Sequence, residues 1–341
     1  MSGGRPAKMT SKKRCLAVLR GDAPDRTPVF PLLMGYAAKN AGITYKTYAT
    51  DKTALAEAQL AAAERHGIDA VTACSDAFRV SADLGGEIVF PESKPPYLAK
   101  PLIASADDLK RFGPLDAARR GTRCFERAES VKMMASSGSE RLVLGWVDFP
   151  FAEACSACGL TGFMLMIATE PESAEAILEF LTVAVIDFAL YQLEAGADMI
   201  GCGDAAASLI SPAMFARFAL PYEKRVAEAV RQRGGLVKTH ICGNTSDKLE
   251  LIAQNGSDLY NVDHMVDLRS AAAVYGAHGK AVKGNADPVA DIFLSSPDAA
   301  RNAALRCIGE AGRAKYFLSA GCEIPPDTPV DVLEAFCKAA S

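Results

Sequence analysis

Short apolar runs alternate with helical stretches along this chain, and that alternation sets its fold class. Residues 27–34 read as a buried strand after a loop rich in Asp and Pro at 21–26. A helical pattern covers 52–66, and a second short apolar run, 68–73, comes after it. The Gly- and Pro-rich stretch 85–101 predicts a hairpin insertion. Helical patterns come next at 105–111 and 117–135, then a strand at 142–147. The helix signal is strongest over 171–195, where Glu170-Pro171 marks the start. Beyond it the apolar runs 198–202, 236–241, 258–262, 280–283 and 315–319 are each separated by helical sequence. Strands that alternate with helices pair in parallel through crossovers. About eight strands in this pattern close an α/β TIM (β/α)8 barrel.

No internal repeat, low-complexity segment or linker divides the 341 residues. The expectation is a single barrel domain over 1–341, with 1–25 as an N-terminal helical extension. Half of the residues are hydrophobic and 23% are charged, which suits a buried core. The balance of 37 basic against 41 acidic residues gives no nucleic-acid footprint. Lys8, Lys12, Lys13 and Arg14 read as the solvated face of a helix whose amphipathic run is 15–19. The most apolar window, 176–193, carries Glu179 and Asp187, so no stretch is expected to span a bilayer. The N-terminus lacks the apolar core of a signal peptide, and a cytoplasmic location is expected. Ten cysteines in a reducing compartment are buried small hydrophobes, reactive thiols or metal ligands.

The residues at the ends of the late strands narrow that choice. The run 198–202 leads into Gly203-Asp204, and 236–241 contains His240 and leads into Cys242-Gly243-Asn244. The run 258–262 ends at Asp263-His264, 280–283 in Gly284-Asn285, and 315–319 in Gly321-Cys322-Glu323. In a barrel these strand ends share one mouth, the face where such enzymes do their chemistry. His240 and Cys242 are two apart, and on extended backbone they point the same way. Two thiolates and an imidazole are good zinc ligands, and three protein ligands leave a fourth position for substrate. His-x-Cys alone arises by chance, and turn or core cysteines remain an equal reading of the spacing.

Thr239-His240-Ile241-Cys242-Gly243-Asn244, with Ser319-Ala320-Gly321-Cys322-Glu323-Ile324-Pro325-Pro326-Asp327-Thr328-Pro329 downstream, resembles the zinc signature of methylcobamide:coenzyme M methyltransferases. These belong to the uroporphyrinogen decarboxylase superfamily. The resemblance extends to Arg26-Thr27-Pro28-Val29, Gly196-Ala197-Asp198 and Gly284-Asn285, and is most specific from residue 196 onward. It implies a TIM barrel and methyl transfer between a methylated corrinoid protein and a thiol such as coenzyme M. His240, Cys242 and Cys322 would hold zinc, which would bind the thiol as a thiolate. Asp204, Asp263 and Glu323 would serve as a temporary fourth ligand or an outer partner of His240. A corrinoid (cobalamin) docked at the mouth would be walled by Tyr36, Phe149, Phe151 and Met164, with Asn285 also contributing to its binding; each aromatic is otherwise a core side chain.

The same residues leave alternatives. Zinc could instead activate a methyl donor, with the corrinoid protein as acceptor. A metal-free decarboxylase of this fold would need arginines after the first strand to grip carboxylates, and 31–38 carries no positive charge. A non-catalytic corrinoid-binding protein with structural zinc would need a fourth ligand, for which His264 is the available residue. Cys155 and Cys158 read as helix-face cysteines, and Cys202 as core. No membrane or nucleic-acid partner is expected.

Overall fold

The computed structural model describes residues 8–312 and 315–340, so residues 1–7 of the N-terminal extension lie outside it. Seven strands form one parallel sheet: β1 (Ala70–Thr72), β4 (Leu142–Asp148), β5 (Met199–Gly203), β6 (Leu236–Ile241), β7 (Leu259–Val262), β8 (Ala281–Ala286) and β9 (Tyr316–Ala320). The antiparallel hairpin of β2 (Ile88–Val89) and β3 (Tyr97–Leu98) is the expected insertion between β1 and β4.

The first apolar run is not a regular strand, and its prolines explain why. Pro28 and Pro31 have no N–H to give a ladder. The run nevertheless completes the barrel. Val29 and Leu32 make parallel bridges with Leu318 and Glu323 on one side. On the other, the Asp69 N–H donates to the Val29 carbonyl at 2.9 Å. Asp69 supplies what the prolines remove. Its carboxylate accepts from Val29 N at 2.8 Å, from Arg14 Nη1 at 2.6 Å and from Arg26 Nη1 at 2.8 Å. Arg14 is therefore buried in an ion-pair network with Asp25 and Asp69, rather than on the solvated helix face that the basic cluster suggests.

Inward-facing side chains stack in layers, as the two-residue period of a strand requires. The lowest is apolar: Phe30, Leu142, Leu144, Met199, Leu259 and Phe317, closed below by Cys15 and Val18 of the helix Ser11–Arg20. Above it lie Trp146, Lys238, Asn261, Lys283 and Ser319, and above those the strand ends. The outer helices match the predicted pattern closely. Lys52–His66 has the expected bounds, with Asp51 capping the N-terminus and Gly67 in the left-handed conformation at the end. The helix expected over 117–135 starts only at Arg123, because Thr122 caps it through the Phe125 N–H.

The helix Pro171–Glu194 is long and apolar enough to cross a membrane by length and composition alone, as a core helix can be, despite Glu179 and Asp187. Here one of its faces is buried on the barrel. Past the end of β1, Gln192 takes both the N–H and the carbonyl of Trp146, at 2.8 and 3.1 Å, so that stretch of β4 keeps its backbone bonds.

Removing the Asp69 carboxylate leaves Arg14 and Arg26 short of a partner and frees the proline-rich segment. Asp69→Ala should lower the unfolding free energy by about 3–5 kcal/mol, read as a shift of the urea midpoint. An unchanged midpoint would show that the segment is held by other contacts.

Candidate metal centre

The site is built from strand register. β6 pairs with β5 so that His240 stands opposite Gly203, and with β7 so that His240 stands opposite Asn261. The imidazole Nδ1 lies 3.2 Å from the Asn261 backbone carbonyl, which can only accept, so Nδ1 carries a proton and Nε2 is turned toward the thiols. Cys242 Sγ lies 3.2 Å from that Nε2 and 3.7 Å from Cys322 Sγ. The ligand atoms of His240, Cys242 and Cys322 all lie within 4.8 Å of one another. This is the one such metal-competent group among the described residues. Hydrogen bonding with Cys242, aided by His240, lowers the pKa of Cys322, and the same pairing raises that of Cys242. The two sulfurs thus hold one proton between them, which a bound cation would have to displace.

A cavity of about 560 Å³ opens over the three ligands. Its walls are mainly apolar, with Met34, Phe78, Leu98, Trp146 and Leu160 among them; Asp76, Asp148 and Glu323 are its acidic members, and no lysine or arginine among the described residues lines it. Gly201 and Gly203 make room for the indole of Trp146, since a Cβ on Gly201 would stand 2.5 Å from Trp146 Cε3. A Cβ on Gly203 would meet Asp148 Oδ1 at 2.7 Å. Beneath the ligands, Lys238 faces inward two residues before His240, its ammonium 4.5 Å from the Trp146 ring centroid. Burial lowers its pKa to about 8, against the pull of the cysteines around it.

The other expected site residues fall in different places. Glu323 reaches the cavity and accepts from the Gly35 N–H at 2.7 Å. Asp263 is buried beside the site but accepts from Met265 N and faces His264. Asp204 does not line the cavity at all. It is fully buried beside Glu223, with which it shares a carboxyl–carboxyl contact, and no ordinary N–H or O–H donor reaches its oxygens among the described residues. Burial, reinforced by Glu223, raises its pKa well above the ordinary value, and burial raises Glu223 to about 7. Tyr36 and Phe151, expected against a corrinoid, are core: the Tyr36 hydroxyl meets His66, and Phe151 packs edge-on against Phe163. Phe149 is equally buried, and Met164 packs on the core rather than on the cavity. Asn285 gives its amide to the carbonyls of Asp263 and Val266, which makes it a brace between strand ends. His264 is half-exposed between Asp263 and Asp287 and stands outside the ligand group. All ten cysteines are free; Cys155 and Cys158 are buried, and Cys155 lines the cavity.

Sequence reasoning misses the β4 contribution. Asp148 ends its strand much as Asp204 comes after β5, and Trp146 precedes it by two, so the signal is present. The part played by the hairpin carries no such signal.

Residues 10–341 match the model of a family described as Uroporphyrinogen decarboxylase (URO-D). A uroporphyrinogen decarboxylase of Synechococcus sp. (strain CC9605) is 28% identical over 286 residues, 80% of this chain and 77% of that one. One from Nocardia farcinica (strain IFM 10152) is 27% identical over 343 residues, covering 95% and 94%. A solved methyltransferase from Methanosarcina mazei superposes with a TM-score of 0.84 at 24% identity, over 97% of this chain and 98% of its own. A B12-independent methionine synthase from Shewanella sp. W3-18-1 superposes at 0.56 with 13% identity, over 84% and 87%. These likenesses fix the barrel fold.

The Asp204–Glu223 pair binds protons more tightly folded than unfolded. Stability is therefore expected to fall as pH rises from about 5 to about 8. Asp204→Asn, which leaves one ionisable group in place of two, should flatten that decline by more than about 1 kcal/mol, measured by urea unfolding at both pH values. A parallel decline in the variant would mean that the pair does not control it.

Proposed function

The chain belongs to the uroporphyrinogen decarboxylase family, and on that footing we propose that it is a zinc-dependent methyltransferase moving a methyl group between a corrinoid, carried by a partner protein, and a thiol. The observation that carries this reading is the meeting of His240, Cys242 and Cys322 at the floor of an open cavity. The donor set fits the metal: two sulfurs and one imidazole nitrogen are what zinc takes, and the group has three members where a structural site has four. Bound there, zinc supplies a Lewis acid that deprotonates a substrate thiol at neutral pH.

The protein's own groups do the rest. The Asn261 carbonyl fixes the tautomer and the plane of His240. Lys238 lies under the two thiols and offsets the negative charge that a third sulfur would add. The mainly apolar walls offer a sulfur anion few hydrogen bonds, which keeps it reactive. The cavity mouth is where the methyl–cobalt bond must come. The Methanosarcina mazei protein that shares the fold is a methyltransferase, in line with this reading. Decarboxylation, the activity in the names of the sequence relatives, acts on a substrate with several carboxylates, and among the described residues this cavity has no cationic wall to receive them.

The purified protein should contain about one zinc per chain and remove the methyl group of methylcobalamin only when a thiol is present, monitored as loss of the methyl–cobalt absorbance. Cys322→Ala should lose both zinc and activity. A metal-free protein that decarboxylates a porphyrinogen would overturn the proposal.

A further inference from the structure

The cavity's charge says what kind of molecule brings the sulfur. We propose that the thiol acting at this site carries an uncharged, largely apolar tail of about the size of one aromatic ring, and that an anionic tail is selected against. This rests on the methyltransferase reading of the same site.

Three observations carry it. The first is that, among the described residues, no lysine or arginine lines the cavity, while three carboxylates do: Asp76, Asp148 and Glu323. The second is that the nearby cations are buried or paired and do not reach the wall. Arg79 is buried and gives one nitrogen, Nη2, to Asp148 at 3.1 Å, while its Nε and Nη1 have no partner among the described residues. Arg123 holds Asp76 through two bonds, at 2.7 and 2.8 Å. Lys238 is buried against the Trp146 ring and is not part of the wall. A sulfonate or carboxylate entering here would give up water and gain no partner, and desolvated charge without a partner is costly. The third is the wall itself. Trp146, Phe78, Leu98, Met34 and Leu160 surround a volume within the range of small-molecule sites, and it is large for a two-carbon thiol but suits a ring. Met34 Sδ and Cys74 Sγ, 3.2 Å apart on that wall, add polarisable sulfur surface of the kind aromatic rings favour.

Trp146 makes binding directly readable, because it is the only tryptophan in the chain and it lines the cavity. The zinc-loaded protein is titrated with benzyl mercaptan, 2-mercaptoethanol, cysteamine and 2-mercaptoethanesulfonate while its fluorescence is recorded. Methyl transfer from methylcobalamin is measured with each thiol in parallel. Benzyl mercaptan should bind at least about ten-fold more tightly than 2-mercaptoethanesulfonate, a gap of about 1.4 kcal/mol. Leu98→Lys, which puts a cation on the hairpin wall, should narrow or reverse that order. The sulfonate or the amine binding as well as benzyl mercaptan would overturn the inference while leaving thiol-dependent transfer intact. Failure of every thiol both to bind and to accept methyl would overturn the methyltransferase reading and the inference with it.

Discussion

Cys242 and Cys322 lie 80 residues apart in sequence and 3.7 Å apart in space, and the candidate site exists only while they do. Barrel closure brings them there. The end of β9 is pressed against the turn after β7, where Gly321 leaves no room for a side chain: a Cβ would stand 2.3 Å from the His264 nitrogen. That close approach turns the next residue, Cys322, over the mouth. The far side of the closure is held by Asp69, which ties the proline-interrupted first segment to β1. Anything that opens the seam at either end separates the sulfurs, so ligand geometry and folding are one problem.

Electrostatics inside the barrel obey the same layering. An apolar floor carries a tier with two buried lysines, and above that tier stand the thiols. Lys283 donates to Asn261 at 2.5 Å, and Asn261 in turn presents its carbonyl to His240. Burial lowers the pKa of both lysines, and the sulfur-bearing tier above raises it again. Burial therefore dominates this tier, and Lys238 lowers Lys283 further. Behind the site, burial raises the pKa of both Asp204 and Glu223, which lessens the negative charge they place near the centre.

Much of this is legible in the chain. The alternating apolar runs locate the strands almost to the residue from 142 onward, and the polar strand ends mark the mouth. His240, Cys242 and Cys322 converge as their places at strand ends imply. Other residues mislead because sequence does not show which face of a loop a side chain takes. Asp204 comes after β5 as a site residue would, yet it turns outward to Glu223. Tyr36 and Phe151 have the character of a cofactor wall but fill the core. Arg14 looks like one more surface cation because its partners, Asp25 and Asp69, are distant in sequence. The absence of cations from the cavity is a property of the assembled wall, and no local pattern announces it.

X-ray absorption at the zinc edge tests the central claim most directly. The account predicts a first shell of two sulfurs and one nitrogen plus a lighter exchangeable scatterer, with a third sulfur replacing that scatterer when a substrate thiol is added. A sulfur count that stays at two after saturation with thiol, or a closed shell of four protein ligands, would contradict it.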